Sequence, residues 1–359
     1  MTAEQADLDL VRGLVAIPSL SRDEGEAVEW LVARMAERGF RAGVDDAGNA
    51  VGEIGSGAFH VVLLGHIDTV PGDIPVRIDG DDLVGRGAVD AKGPLAAFVA
   101  AASRPPAGVR VTVVGAVEEE SPTSAGARYR AALAAPDWCV IGEPSGWDAV
   151  TVAYKGRLTL RVLLSRPARH GAAPGPTVAE EALAIWQRAR EAASAGAGPR
   201  AFERLDCRLE GIRAGTADGL AERAELRIGY RLPPGVDPRG LEREALALIH
   251  DDAGTADAGR VVVETIGMED PVRTPRTSPL ARAFVRAIAA AGGQTSFKEK
   301  SGTSDMNILA PAWGCPMVAY GPGDSRYDHT PVERLSLREY GRAVTVLRGV
   351  LERASKAII

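Results

Sequence analysis

Apolar residues recur at i, i+3, i+4 and i+7 over Val28, Leu31, Val32 and Met35, which predicts an amphipathic helix. Ser21-Arg22-Asp23-Glu24, just ahead of it, has the form of a capping box, and Gly39 supplies a stop. The pattern then turns to short continuous apolar runs at His60–Leu64, Val109–Val114 and Trp138–Ile141. Helical stretches near Pro94–Ser103 and Ala125–Ala135 separate them. Apolar strands without alternation, spaced by helices, predict an α/β sheet buried on both faces.

Past Tyr154 the pattern changes. Leu158–Leu163 alternates like a strand with one wet face, and Glu180–Ala193 reads as a helix. Strands at Ala224–Leu232 and Val261–Thr265 flank a helix near Leu241–Ile249. This β-α-β-β-α-β-like order predicts a small α+β unit. After Pro271 a helix over Leu280–Ala291 and short apolar runs resume the first style. The chain therefore reads as an α/β domain (1–154 and 266–359) interrupted by an inserted α+β domain (155–265).

Composition narrows the class. With 45% apolar and 25% charged residues in 359, the chain can bury a core, which excludes a disordered chain. No apolar run approaches the roughly 18 residues of a membrane span. A net charge of −6 argues against a nucleic-acid partner. Cys139, Cys207 and Cys315 form no Cys-x-x-Cys pair, and their odd number suits a reducing compartment. Met1–Asp9 has three acids and no basic n-region, so no signal peptide is expected and the expected location is the cytoplasm.

The candidate chemistry lies at the ends of the predicted strands, where open α/β sheets form ligand sites. His66 and Asp68, in Gly65-His66-Ile67-Asp68, follow the first run; His-x-Asp suits a metal ligand and its orienting carboxylate, or a plain loop histidine. Asp90, in Gly85–Gly93, is placed either to cap the next helix or to bridge two cations. Glu118-Glu119-Glu120 is either a solvated acidic turn or a set whose repulsion bound cations relieve. Glu143, in Gly142-Glu143-Pro144-Ser145, and His329, in Tyr327–Pro331, complete the set. Mixed nitrogen and oxygen ligands favour Zn²⁺ or Co²⁺, and five of them with one bridging suit a two-metal hydrolytic centre. His60 reads as structural, and His250 as a partner of its helix dipole. Walker A, Gly-x-Gly-x-x-Gly and Gly-x-Ser-x-Gly patterns are absent.

In this order, over essentially the whole chain, these motifs resemble the M20 family of dinuclear zinc peptidases and deacylases. Acetylornithine deacetylase and succinyl-diaminopimelate desuccinylase are the nearest in pattern. The resemblance implies a mixed central sheet flanked by helices, plus an inserted ferredoxin-like lid and dimerisation domain. It implies two Zn²⁺ per subunit (Co²⁺ the alternative), with Asp90 bridging, His66 and Glu143 on one ion, and Glu120 and His329 on the other. Asp68 would orient His66, and Glu119 would be the general base. Gly126 then falls at the family's downstream glycine spacing; the other register makes Glu118 the base and Glu119 the ligand. His170, in Arg169-His170-Gly171, would reach a partner subunit's site and hold the oxyanion. Arg231 would bind a substrate carboxylate, with Ser301, Gly302 and Thr303 facing the substrate. Asp218 stands where relatives have asparagine, which suits a cationic substrate.

Gly87–Gly93, Val117–Glu120, Gly142–Trp147 and Tyr154–Leu158 look most like the branch acting on amino-group carrier proteins, also described as acetyl-lysine deacetylases. That likeness implies release of lysine, ornithine or a related diamino acid from the C-terminal glutamate of a small acidic carrier protein. The alternatives are deacylation of free acetyl-lysine or acetyl-ornithine, a dipeptidase, and a non-catalytic binding protein on the same scaffold. One further feature fits an acidic partner. Between Asp148 and Glu180 there is no acid, while Lys155, Arg157, Arg161, Arg166 and Arg169 are basic. Those residues read either as a docking surface or as solubilising strand arginines.

Overall fold

The computed structural model describes residues 2–194, 198–216, 219–251 and 260–356. The chain divides into two compact units: 1–153 with 273–299 and 304–359, and 154–272 with 300–303.

The first unit is built on a nine-stranded mixed sheet. Its order is Arg41–Val44, Ala50–Gly55, Val109–Ala116, Phe59–His66, Trp138–Gly142, Met317–Ala319, Ala149–Tyr154 and Val272–Arg273, with Ser296–Lys300 also on Ala149–Tyr154. The four strands from Val109–Ala116 to Met317–Ala319 are mutually parallel, and antiparallel pairs flank them. The parallel strands are buried almost end to end, which is why they read as apolar runs rather than alternations. Every residue of the helix Lys92–Ala102 is buried. It packs against the sheet and the helices Ala3–Val15 and Leu337–Lys356. Burying Leu95 and Phe98 there contributes on the order of 1.5–3 kcal/mol each.

Register brings the strand ends to one level. Gly65 pairs with Gly142 on one side and with Gly115 on the other. The next residues are therefore His66, Glu143 and, two beyond Ala116, the triple acid. A Cβ on Gly142 would stand 2.9 Å from both Gly65 Cα and Phe98 Cε2, so glycine permits this close approach.

The helix Gly25–Glu37 forms with Ala27, Val28, Leu31 and Met35 buried, but the expected capping box does not. Glu24 is the N-cap residue, in a right-handed helical conformation, and makes no side-chain cap bond. Both ends of that motif are used elsewhere, as described below.

The second unit is a β-α-β-β-α-β arrangement. Its antiparallel sheet has the order Asp206–Thr216, Ala221–Leu232, Gly156–Pro167 and Arg260–Glu269. The helices Val178–Ser194 and Pro238–Asp251 pack on one face, over a core that includes Leu158, Leu160, Val162, Leu226, Ile228 and Ile249. The strand Asp206–Thr216 escaped the sequence pattern because polar residues and glycines interrupt its alternation.

The basic run of this unit is not a bare positive surface. Arg157 pairs with Glu269, and Arg161 with Glu225 and Glu264. Lys155 pairs with Asp206, and Arg166 with Glu181 and Glu222. The guanidinium of Arg169 donates to the carbonyls of Pro174 and Pro176. Most of these acids lie on neighbouring strands, so cross-strand pairing neutralises a charge run that looks one-signed in linear order. Among the described residues, no helix is long and apolar enough to cross a membrane.

Candidate metal centre

His66 ends the strand Phe59–His66 and is buried. Its Nδ1 lies 3.0 Å from the carbonyl oxygen of Asp68. A carbonyl only accepts, so Nδ1 carries the proton and Nε2 is left to face the site. That Nε2 is 3.1 Å from Asp90 Oδ1. The other oxygen, Asp90 Oδ2, is 3.0 Å from His329 Nε2, which is also 2.8 Å from Glu120 Oε1. His66, Asp90 and Glu120 each offer a ligand atom, and all three atoms lie within 4.8 Å of one another. Asp90 is not a helix cap: the helix Lys92–Ala102 has Ala91 as its N-cap, without a side-chain bond. The peptide bond between Asp90 and Ala91 is cis.

The carboxylate of Asp68 does more than face His66, whose Nδ1 is 3.6 Å from Oδ1. It accepts the amide N–H groups of Glu119 and Glu120 at 3.1 and 3.0 Å. Glu24 Oε1 accepts the amide of Glu118 at 3.1 Å, and the Ser21 hydroxyl donates to Asp68 Oδ2 at 2.7 Å. Instead of capping the helix, Glu24 holds the acidic turn, and Ser21 holds the Asp68 carboxylate that binds it. Three successive amides bonded to carboxylates give this turn one conformation and separate its three side chains. Glu118 points toward Arg22, Ser121 and Thr123. Glu120 meets His329. Glu119 is half-buried and lies within electrostatic reach of His66, Asp305 and Glu143.

The charges reflect this crowding. Burial, then the neighbouring acids Asp305, Glu120 and Glu143, push the Glu119 carboxyl well up against the pull of His66. Burial disfavours charge on Asp90, but hydrogen bonds from His329 and His66 outweigh it and hold the carboxyl well below the usual range. Hydrogen bonds to Asp90 and Glu120 raise His329 to about 10. Burial opposes charge on His66, yet bonds to Asp68 and Asp90 keep its pKa high.

Glu143 is buried at the end of Trp138–Gly142. Asp305, two residues past Thr303, is not among the residues expected at the site, yet it lies within electrostatic reach of His66, Asp68 and Glu143. It is 2% exposed, and its Oδ1 has no hydrogen-bond partner among the described residues. Burial, with the charges of Asp68 and Glu143, pushes it up to about 7.

In the second unit Arg231 Nη1 lies 3.4 Å from Thr303 Oγ1, and Ser301 and Gly302 are exposed beside it. Burial, then the nearby Arg157 and Arg208, lower the pKa of the Arg231 guanidinium. His170 is exposed and accepts the amide of Ala172 at its Nδ1. Asp218 lies outside the described residues. Of the expected structural histidines, His60 bonds Thr112 Oγ1 through Nε2 at 2.9 Å.

Comparison with known proteins agrees with the geometry. Residues 62–353 match peptidase family M20/M25/M40. The chain is 47% identical over 359 residues to the LysW-lysine hydrolase of Deinococcus radiodurans, covering 97% of each chain. An M20 family metallo-carboxypeptidase from Sulfolobus solfataricus shares the fold, with a TM-score of 0.80 at 18% identity over 97% of this chain and 99% of that one. So does a dinuclear metal-binding M20 peptidase from Bacillus subtilis, with a TM-score of 0.74 at 14% identity over 98% of both. A shared fold, a carboxylate set between two histidines, and a family match over most of the chain lead to one conclusion: this protein belongs to peptidase family M20/M25/M40.

Proposed function

We propose that this protein is a two-metal amide hydrolase that releases lysine, or a related diamino acid such as ornithine, from the C-terminal glutamate of a small acidic carrier protein. One observation carries the metal reading: the two oxygens of Asp90 face two different histidine nitrogens, at 3.1 and 3.0 Å. A carboxylate so placed is built to bridge. The donor set fits a pair of Zn²⁺ or Co²⁺ ions, with His66, Asp90 and Glu143 around one and Asp90, Glu120 and His329 around the other. The 47% relative's LysW-lysine substrate supports the carrier-linked reading.

Bound cations would polarise the scissile carbonyl and make water more acidic. Glu119 takes the proton from the attacking water. Its raised pKa suits a base that must also return that proton to the leaving amine. Asp68 fixes the backbone of Glu119 and Glu120, and so aims base and ligand together. Glu118 is directed at Arg22 and Thr123, which favours Glu119 as the base.

In the second unit, the desolvated Arg231 beside Thr303 suits a substrate carboxylate. We assign this unit the role of lid and homodimerisation domain. His170 reaches a partner subunit's site to hold the oxyanion, and Asp218 favours a cationic amino acid. Mixing His170→Ala with Asp90→Ala protein tests the sharing: activity recovered in mixed dimers is expected, and none recovered contradicts it. The free cysteines Cys139, Cys207 and Cys315 support a cytoplasmic location.

The deciding assay offers purified enzyme a carrier–lysine conjugate, a carrier–ornithine conjugate, acetyl-lysine, acetyl-ornithine and dipeptides. The expected result is fastest turnover of a carrier conjugate. Faster cleavage of a free acyl amino acid or a dipeptide overturns the carrier assignment.

A further inference from the structure

Glu333 lies four residues past His329 and is wholly buried at 0% exposure. Its Oε1 accepts the backbone amides of Val89 and Asp90, at 3.0 and 3.1 Å. Its Oε2 takes Arg86 Nη1 at 2.7 Å. The same guanidinium nitrogen reaches the carbonyl of Thr330 at 3.3 Å, and Arg86 Nε bonds the carbonyl of Gly72 at 3.0 Å. One carboxylate and one guanidinium thus join the turn that presents Asp90 to the loop that presents His329.

A buried carboxylate is costly unless its charge and lone pairs are satisfied, and an apolar side chain would fill the same space without that cost. What an apolar residue could not do is hold the amides of Val89 and Asp90, in the irregular turn before the helix Lys92–Ala102. The His329 loop needs such support as well. His329 has φ +59°, a left-handed conformation that a side chain bearing a Cβ adopts only where its surroundings hold it. Thr330, the next residue, is where Arg86 takes hold. The separation of 3.0 Å between Asp90 Oδ2 and His329 Nε2 is therefore fixed from behind by Arg86 and Glu333.

We propose that Glu333, with Arg86, is a positioning pair that sets the spacing of Asp90 and His329, and so the affinity of the cation position these two share with Glu120. The position around His66 and Glu143 depends on it far less. This inference rests on the two-cation reading above, and the test separates the two.

Metal-free wild type, Glu333→Gln and Arg86→Lys are each titrated with Zn²⁺ by calorimetry and with Co²⁺ by visible absorption, and thermal unfolding is followed in parallel. Wild type is expected to take two ions; fewer than two overturns the reading on which the inference rests. Glu333→Gln can still accept the two amides but turns an amide N–H₂ toward Arg86. It is expected to keep one site at wild-type affinity and to weaken the other about 10–100-fold, the range typical of outer contacts to ligands. Turnover should fall with the second site while KM changes less. Two sites at wild-type affinity in folded Glu333→Gln overturn the proposal, whatever happens to the melting temperature, because a purely structural role would move only the latter. If Glu333→Gln fails to fold, Arg86→Lys decides: it leaves both Glu333–amide bonds in place, so a weakened second site is expected and unchanged affinities overturn the proposal.

Discussion

The two units treat charge in opposite ways. In the inserted unit, arginines on the strand Gly156–Pro167 meet glutamates on adjacent strands, and the sheet settles its own electrostatics. In the first unit, Asp90, Glu119, Glu120, Glu143 and Asp305 gather with histidine, rather than arginine or lysine, as the nearest cationic partner of Asp90 and Glu120. A carboxylate whose two oxygens each meet a different histidine, as in Asp90, suits a shared cation, whereas acids paired with guanidinium groups settle the charge of a sheet.

The comparison can be broken most forcefully at Glu119. Glu119→Gln should retain its metal content and lose about 10³-fold or more in turnover, as removal of a general base does. Glu118→Gln, whose carboxylate is already engaged by Arg22 and Ser121, should stay near wild type. The reverse result, read by steady-state kinetics with metal analysis, would shift the base by one residue. A smaller loss is expected one contact further out. Ser21→Ala removes the hydroxyl bonded to Asp68, and turnover should drop about 10-fold, the lower end of the effect of outer contacts to a metal ligand.

In the inserted unit the same kind of change should register in stability, not chemistry. Arg157→Ala strips a bidentate partner from buried Glu269 and should cost about 2 kcal/mol in denaturant unfolding, with kcat on a small acyl substrate unchanged. Arg161→Ala, at an exposed pair, should leave the unfolding midpoint unmoved. A large effect of Arg161 on carrier turnover would return the basic run to a docking role.

The last effect concerns pH. Burial, then the charge of Arg110, lowers His60 from 6.5 to about 4. Between those values the unfolded chain binds a proton that the folded chain refuses. Stability is therefore present above 6.5 and declines as pH falls toward 4. His60→Gln should flatten the melting temperature over that window, and an unchanged slope would contradict the assignment.

Much of this was legible in the sequence, and the reason is local. A parallel strand buried on both faces announces itself as an apolar run, and the residue that follows it lands at the sheet edge. His66, Glu118–Glu120 and Glu143 could thus be located from short windows. The inserted unit's helices showed their faces for the same reason. What failed was whatever needed a distant partner. Ser21 and Glu24 have the spacing of a capping box, yet their oxygens serve Asp68 and the Glu118 amide, 47 and 94 residues away. The arginines from Arg157 to Arg166 look unopposed because the acids that meet them on other strands are 56 to 112 residues on. Glu333 carries no sign of burial in its own window. Only the register that pairs Leu335 with Leu83 draws it behind Asp90.

The central claim is that the carboxylates and two histidines gathered around Asp90 hold the cations on which hydrolysis depends. Its most direct test is to remove metal exhaustively and measure cleavage of the carrier–lysine conjugate as Zn²⁺ or Co²⁺ is returned in counted equivalents. The expected result is no cleavage without metal, and recovery that saturates at two equivalents per chain and is absent in Asp90→Ala. Cleavage at an undiminished rate after complete chelation would contradict the account.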